Sequence, residues 1–170
     1  MCLLYFNPML LRFLFIGISA VLFSCYSFVA NTLPAHIKSV YIADVDYRSF
    51  DPVLGNRLKA GIVELFRVNA PAVRIVNSDA DSDFTVELLS YSNRPESQSS
   101  SAEVETYRVT MGVSVLFYDN VRKKKIYESK SVQAMGSYDV QKNESEELHG
   151  QERAIERLKE ILVANALAKW

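Results

Sequence analysis

The segment YRVTMGVSVLF, residues 107–117, places Tyr107, Val109, Met111, Val113, Val115 and Phe117 on one side of an extended chain and Arg108, Thr110, Gly112, Ser114 and Leu116 on the other. Strict period-two alternation over this length predicts a β-strand with one buried face, the pattern of an antiparallel sheet covered on one side only. Upstream, Phe84, Val86 and Leu88 alternate with Thr85 and Glu87 in the same way. Downstream, 125–138 reads as extended with less distinct faces. The turn Asp119-Asn120 joins the second and third of these segments, and Asn93 to Ala102 is expected to join the first two, giving a β-meander.

Two helices and one more strand flank the meander. Ile37 to Val45 is a compact apolar run that reads as a strand. Asp51-Pro52 then predicts a helix start, because Asp accepts from free amide groups and Pro is tolerated in the first turn. Leu54, Leu58, Ile62, Leu65 and Phe66 form one stripe at helical spacing, and Asn69-Ala70-Pro71 ends it. Val73 to Val76 is a short extended piece before the acidic turn 79–83. A last helix is expected over 145–169, with Leu148, Ile155, Leu158, Ile161, Leu162 and Ala166 as its apolar stripe and Glu146 and Glu147 at its start. The expected fold is α+β: a two-layer sandwich in the order β-α-β-β-β-α, with a mixed, mainly antiparallel four-stranded sheet and both helices on one face.

The amino-terminal region is of a different kind. Its apolar run passes Arg12, continues from Phe13 to Phe23 without a charge, and stops at Cys25, after which the chain turns polar. This is the layout of a secretory signal, and it is shorter than the roughly 20 residues that span a bilayer. Leu22-Phe23-Ser24-Cys25 resembles the bacterial lipobox, so Cys25 is expected to carry the lipid and to become the mature amino terminus. The alternative is an ordinary signal peptide or amino-terminal anchor with an incidental cysteine. The predicted organisation is a signal at 1–24, with Met9 as the better start, a lipidated tether at 25–36 and one domain at 37–170.

The 170 residues carry 19 basic and 20 acidic side chains. Only Arg12 among them precedes Cys25, so the mature part stays nearly neutral, which excludes the basic footprint of a nucleic-acid binder. With Cys2 removed and Cys25 lipidated, no thiol is left for a disulfide or a metal cluster. His36 and His149 have no neighbouring Cys or second His and read as surface histidines; no cofactor or metal site is expected. The six glycines are scattered, so no phosphate loop is present. Asp79, Asp81 and Asp83 alternate like cation ligands but lack the Gly and distal Glu of a calcium loop. Asn143-Glu144-Ser145 matches a glycosylation sequon that a bacterial lipoprotein would not use. No acid-base pair or activated nucleophile stands out, so an enzyme is not expected.

Two polar segments remain as contact candidates. Pro95, Ser97, Gln98 and Ser99 belong to a low-complexity stretch that reads either as a plain hairpin connection or as a tip entering a partner. Arg122, Lys123, Lys124 and Lys125 are four consecutive cations at the other hairpin. They could meet lipid phosphates or merely blunt a sheet edge.

In order along the chain, Cys25-Tyr26-Ser27-Phe28, Leu33-Pro34, Ile37-Lys38-Ser39-Val40-Tyr41-Ile42, Ala80-Asp81, Tyr91, Tyr107-Arg108-Val109-Thr110 and Tyr138 resemble the outer-membrane lipopolysaccharide-assembly lipoprotein family, LptE. The chain departs from that family's common Gly on both sides of the cysteine, having Ser24 and Tyr26. The resemblance implies a sheet with two helices on one face, seated as a plug in an LptD-type β-barrel at the outer membrane and assisting lipopolysaccharide assembly. A lipoprotein adaptor of another periplasmic or outer-membrane assembly is the competing class.

Overall fold

The computed structural model describes residues 33–46, 51–98, 104–139 and 147–167. Five strands form one sheet in the order β2-β1-β3-β4-β5: β1 (Ser39–Ile42), β2 (Arg74–Val76), β3 (Ser82–Gln98), β4 (Val104–Asp119) and β5 (Lys124–Asp139). Helix α1 (Pro52–Asn69) follows β1, and α2 (Glu147–Leu162) follows β5, continuing into a wider π-helical turn at Val163–Leu167. The α+β class, the mixed sheet and the expected element order hold. The sheet has five strands instead of four, because the short extended piece at 74–76 pairs with β1.

β1 lies parallel to both β2 and β3, while β3, β4 and β5 form the antiparallel meander. Helix α1 starts as its sequence dictates: the Asp51 carboxylate accepts from the Val53 N–H at 2.9 Å, with Pro52 in the first turn. Its stripe, Leu54, Leu58, Ile62, Leu65 and Phe66, is buried to the last residue. Phe66 packs edge-on against Phe84 of β3 and Phe117 of β4, at ring centroid distances of 5.0 and 5.8 Å. Leu158 and Leu162 of α2 are fully buried in the same core, so both helices cover one face and leave the other open.

The alternation of β4 is realised throughout: Val109, Met111, Val113, Val115 and Phe117 all face the core. β3 begins with the same parity at Phe84, Val86 and Leu88. A bulge between Leu88 and Ser90 then shifts its phase, leaving Leu89 exposed and setting Tyr91 opposite Met111 and Asn93 opposite Val109 on the covered face. The buried positions of β5 are Val132, Ala134, Gly136 and Tyr138. The first three are small because α2 lies close: a Cβ on Gly136 would stand 2.2 Å from the Gly150 carbonyl oxygen. That close seat is why the two faces of β5 look indistinct in sequence.

The expected loop over 93–102 is largely strand. Pro95, Ser97 and Gln98 pair with Tyr107, Thr106 and Val104, through register shifts on either side of Ser97. Serine-rich, proline-containing sequence reads as a loop locally, but a long partner strand extends the pairing. Proline is tolerated because β1 pairs β3 only over Ser82 to Phe84, leaving this stretch with one free edge. Ser99 lies outside the described residues.

Candidate functional site

The register places several chain segments at one end of the sheet. Ser39 lies opposite Arg74, Val40 opposite Ser82, Ser82 opposite Asp119, and Asp119 opposite Lys124. The start of the domain, the acidic turn and the basic turn therefore meet. Asp119 is their centre. Fully buried, it accepts from the backbone N–H of Val121 and Arg122 at 3.0 and 2.8 Å through one oxygen, and from His36 Nε2 at 2.7 Å through the other. Burial opposes ionisation of this carboxyl, but the Arg122 amide, the His36 ring and the Val121 amide together hold its pKa below the ordinary carboxylate value. His36, expected as a plain surface residue, is the clasp between the amino-terminal stretch and the basic turn.

Asp81 plays the matching role next door. Its carboxylate accepts from the Lys38 and Ser39 amides at 2.8 and 3.0 Å, its own amide donates to Ser39 Oγ, and its carbonyl accepts from the Asn120 amide. The Lys38 amide leads the effects that lower its pKa, against opposing burial, with Arg74 adding a favourable charge. An oxygen committed to two amides has little left for a cation, and among the described residues no cluster of acidic, His or Cys side chains is arranged as a metal site. Asp79 takes a left-handed φ of 51° at the turn.

Arg122, Lys123, Lys124 and Lys125 all stand exposed on this frame, beside an exposed Val121. Lys125 is held by both oxygens of Glu128 at 2.7 Å. Arg122, Lys123 and Lys124 form no ion pair with a described residue. Lys123 sits at φ 52°, the left-handed position that closes the hairpin.

The opposite end is polar in a different way. Arg94, Pro95, Glu96, Arg108, Ser92 and Thr110 line an open cleft of about 520 Å³ on the uncovered face. There Glu96 accepts from both Arg108 and Ser137. On the covered face, Tyr91 donates to Glu147 and accepts from Gln151 at 3.1 Å, while Asn93 donates to Tyr138 at 2.8 Å. Burial first, then the Glu147 carboxylate, pushes the Tyr91 phenol pKa up, so it stays a neutral donor. This network fastens the start of α2 to the sheet. Only the bulge brings Tyr91 and Asn93 under the helix, and the sequence carries no local sign of it. His149 approaches Glu152 at 3.6 Å along the same helix.

Cys25, Met9 and the sequon at 143–145 lie outside the described residues. Among those described, no helix is long and apolar enough to cross a membrane.

The family model for LptE, described as lipopolysaccharide-assembly, matches residues 37–168, which takes in the entire sheet and both helices. The chain belongs to the LptE family. No curated protein matches the chain. Among solved structures, the protein CT253 of Chlamydia trachomatis is 12% identical, with 78% of this chain and 99% of that chain covered at a TM-score of 0.53. The PelC dodecamer of Paraburkholderia phytofirmans is 11% identical, with 79% and 93% covered at 0.51. Rare lipoprotein B of Shewanella oneidensis is 16% identical, with 74% and 92% covered at 0.49. The first two share the fold with this LptE member.

Proposed function

We propose that this LptE-family protein is a lipoprotein of the outer membrane, anchored through Cys25, that plugs and supports an LptD-type β-barrel and so assists lipopolysaccharide assembly at the cell surface. It acts by binding and positioning, without an enzymatic step. The family match over 37–168 is the observation that carries this reading.

The shape of the sheet supports it. β3 spans Ser82 to Gln98, and at about 3.3 Å per residue it extends roughly 50 Å. The apolar band of an outer-membrane barrel is only about 25 Å tall, and the lumen is polar. A domain standing in such a lumen could therefore reach through it with the β3–β4 hairpin, toward whose tip Ser97 and Gln98 lie. Its uncovered face presents Thr85, Glu87, Arg108, Thr110 and Ser114, side chains that a wet lumen tolerates.

Affinity purification of the tagged full chain from detergent-solubilised membranes tests the reading. A β-barrel of LptD type should copurify in stoichiometric amount. Its absence, or a stoichiometric partner that is not a barrel, would overturn the plug role and favour an adaptor of another assembly.

A further inference from the structure

The basic turn and the amino-terminal tether leave the domain at the same end. Leu33 is buried, the Ile37 amide donates to the Pro34 carbonyl at 2.8 Å, and His36 is clasped to Asp119 at 2.7 Å, three residues ahead of Arg122. From Cys25 to Leu33 the chain has eight residue steps, a reach of at most about 28 Å when extended. The far end of β3 lies roughly 50 Å from this corner. A lipid on Cys25 therefore keeps the corner that carries the basic turn within about 28 Å of the membrane, whereas the far end of β3 can stand well beyond that reach.

We propose that Arg122, Lys123 and Lys124, with Val121 at the tip, form a docking surface for the anionic phospholipid headgroups of the leaflet that holds the Cys25 acyl chains. The proposal rests on the reading of Cys25 as the anchor. Phosphate is common to phospholipid headgroups and lipopolysaccharide, and the position of the tether selects the former. The charges are available: Arg122, Lys123 and Lys124 are exposed and unpaired with described residues, whereas Lys125 is occupied by Glu128. The acidic groups nearby are mostly spent internally. Asp119 is buried under His36 and two amides, and Asp81 serves the Lys38 and Ser39 amides and faces Arg74. Asp79 on the neighbouring turn and Asp83 at the start of β3 weaken the field. Val121, 55% exposed between the cations and the clasp, is an apolar side chain suited to the headgroup boundary.

The expected role is orientation. Three cations near an anionic surface contribute about fivefold each, roughly 100-fold together, which is weak recruitment but decisive once a lipid anchor raises the local concentration. Held by lipid and basic turn together, the sheet would stand with its β3–β4 tip pointing away from that leaflet.

The test uses full-chain protein purified from membranes and returned to vesicles, with Cys2→Ser and either Val121→Cys or Leu89→Cys carrying a fluorophore, and a quencher on the lipid. In phosphatidylcholine mixed with phosphatidylglycerol, the Val121 site should be quenched far more than in phosphatidylcholine alone. The difference should vanish at high salt, and the Leu89 site should not respond. Arg122→Gln/Lys123→Gln/Lys124→Gln should lower the ratio of docked to undocked protein roughly 100-fold. Equal, salt-insensitive quenching at Val121 in both vesicles overturns the docking surface. So does stronger quenching when lipopolysaccharide replaces phosphatidylglycerol at matched charge, which would assign the turn to lipopolysaccharide. Intact-mass measurement reads the anchor separately: an unmodified Cys25 overturns the anchor reading, and the Val121 signal still decides the docking surface.

Discussion

Replacing Gly136 by Ala adds one methyl group where the backbone of α2 lies close against β5. An ideal Cβ there lies 2.2 Å from the Gly150 carbonyl oxygen, 2.5 Å from the Ala154 nitrogen and 2.8 Å from the Arg153 Cβ. An ordinary C···O approach is about 3.3 Å, so α2 must retreat by about 1 Å. Two of the three obstacles are backbone atoms, and no rotamer change relieves them. The retreat also opens the contact Gly150 makes with Tyr138 and Val109, and a gap of that size forfeits a quarter to a half of each dispersion well. Overpacking of this kind costs about 3 kcal/mol. Losing glycine's unfolded-state freedom returns about 0.5–1 kcal/mol, so the net loss should be about 2 kcal/mol. Gly61→Ala is the control. Its Cβ meets the Ile155 Cγ2 at 2.6 Å, a side-chain methyl that can turn aside, and alanine gains about 1 kcal/mol in a helix interior. Its net effect should be within about 1 kcal/mol of zero. Urea unfolding of both variants measures the difference. A Gly136→Ala protein as stable as the parent, or a Gly61→Ala protein equally damaged, would refute the close backbone seat of α2.

Leu158→Ala and Ile62→Ala should each lose about 2 to 5 kcal/mol in the same assay, since both side chains are essentially fully buried between helix and sheet; an unchanged midpoint for Leu158→Ala would mean that α2 faces elsewhere. Asp119 and Asp81 both have lowered folded-state pKa values, so their stabilisation is complete above the unfolded value of about 4 and is lost as pH falls through the lower folded values. Unfolding free energy followed downward from pH 5 should drop, and Asp119→Asn should flatten part of that drop while leaving the share of Asp81. A parent and variant with identical acid profiles would show that Asp119 is not held ionised by its amides and His36.

Much of the fold is carried by local pattern. Period-two alternation in β4, the Asp51-Pro52 start of α1 and the stripes of both helices reach their places because each depends on residues a few positions apart, and burial of an apolar face has one geometrical solution per period. The identity of the basic turn was equally local, since a run of cations after Asp119-Asn120 needs no partner to be recognised. The features left to the tertiary structure all depend on residues far apart in the chain. β2 joins the sheet only because β1 offers it an edge. Pro95 to Gln98 becomes strand only because β4 extends opposite it. The bulge after Leu88 reverses the parity of β3 and carries Tyr91 and Asn93 beneath α2, a change that no composition announces. Ala134 and Gly136 are inward-facing because a helix backbone lies against them, which removes the alternation by which β5 would otherwise be read. Above all, the clasp between His36 and Asp119, 83 positions apart, sets the amino-terminal stretch beside the basic turn. Sequence spacing cannot encode that juxtaposition, because strand register, passed from β1 through β3 to β4, is what brings residues 36 and 119 to one corner.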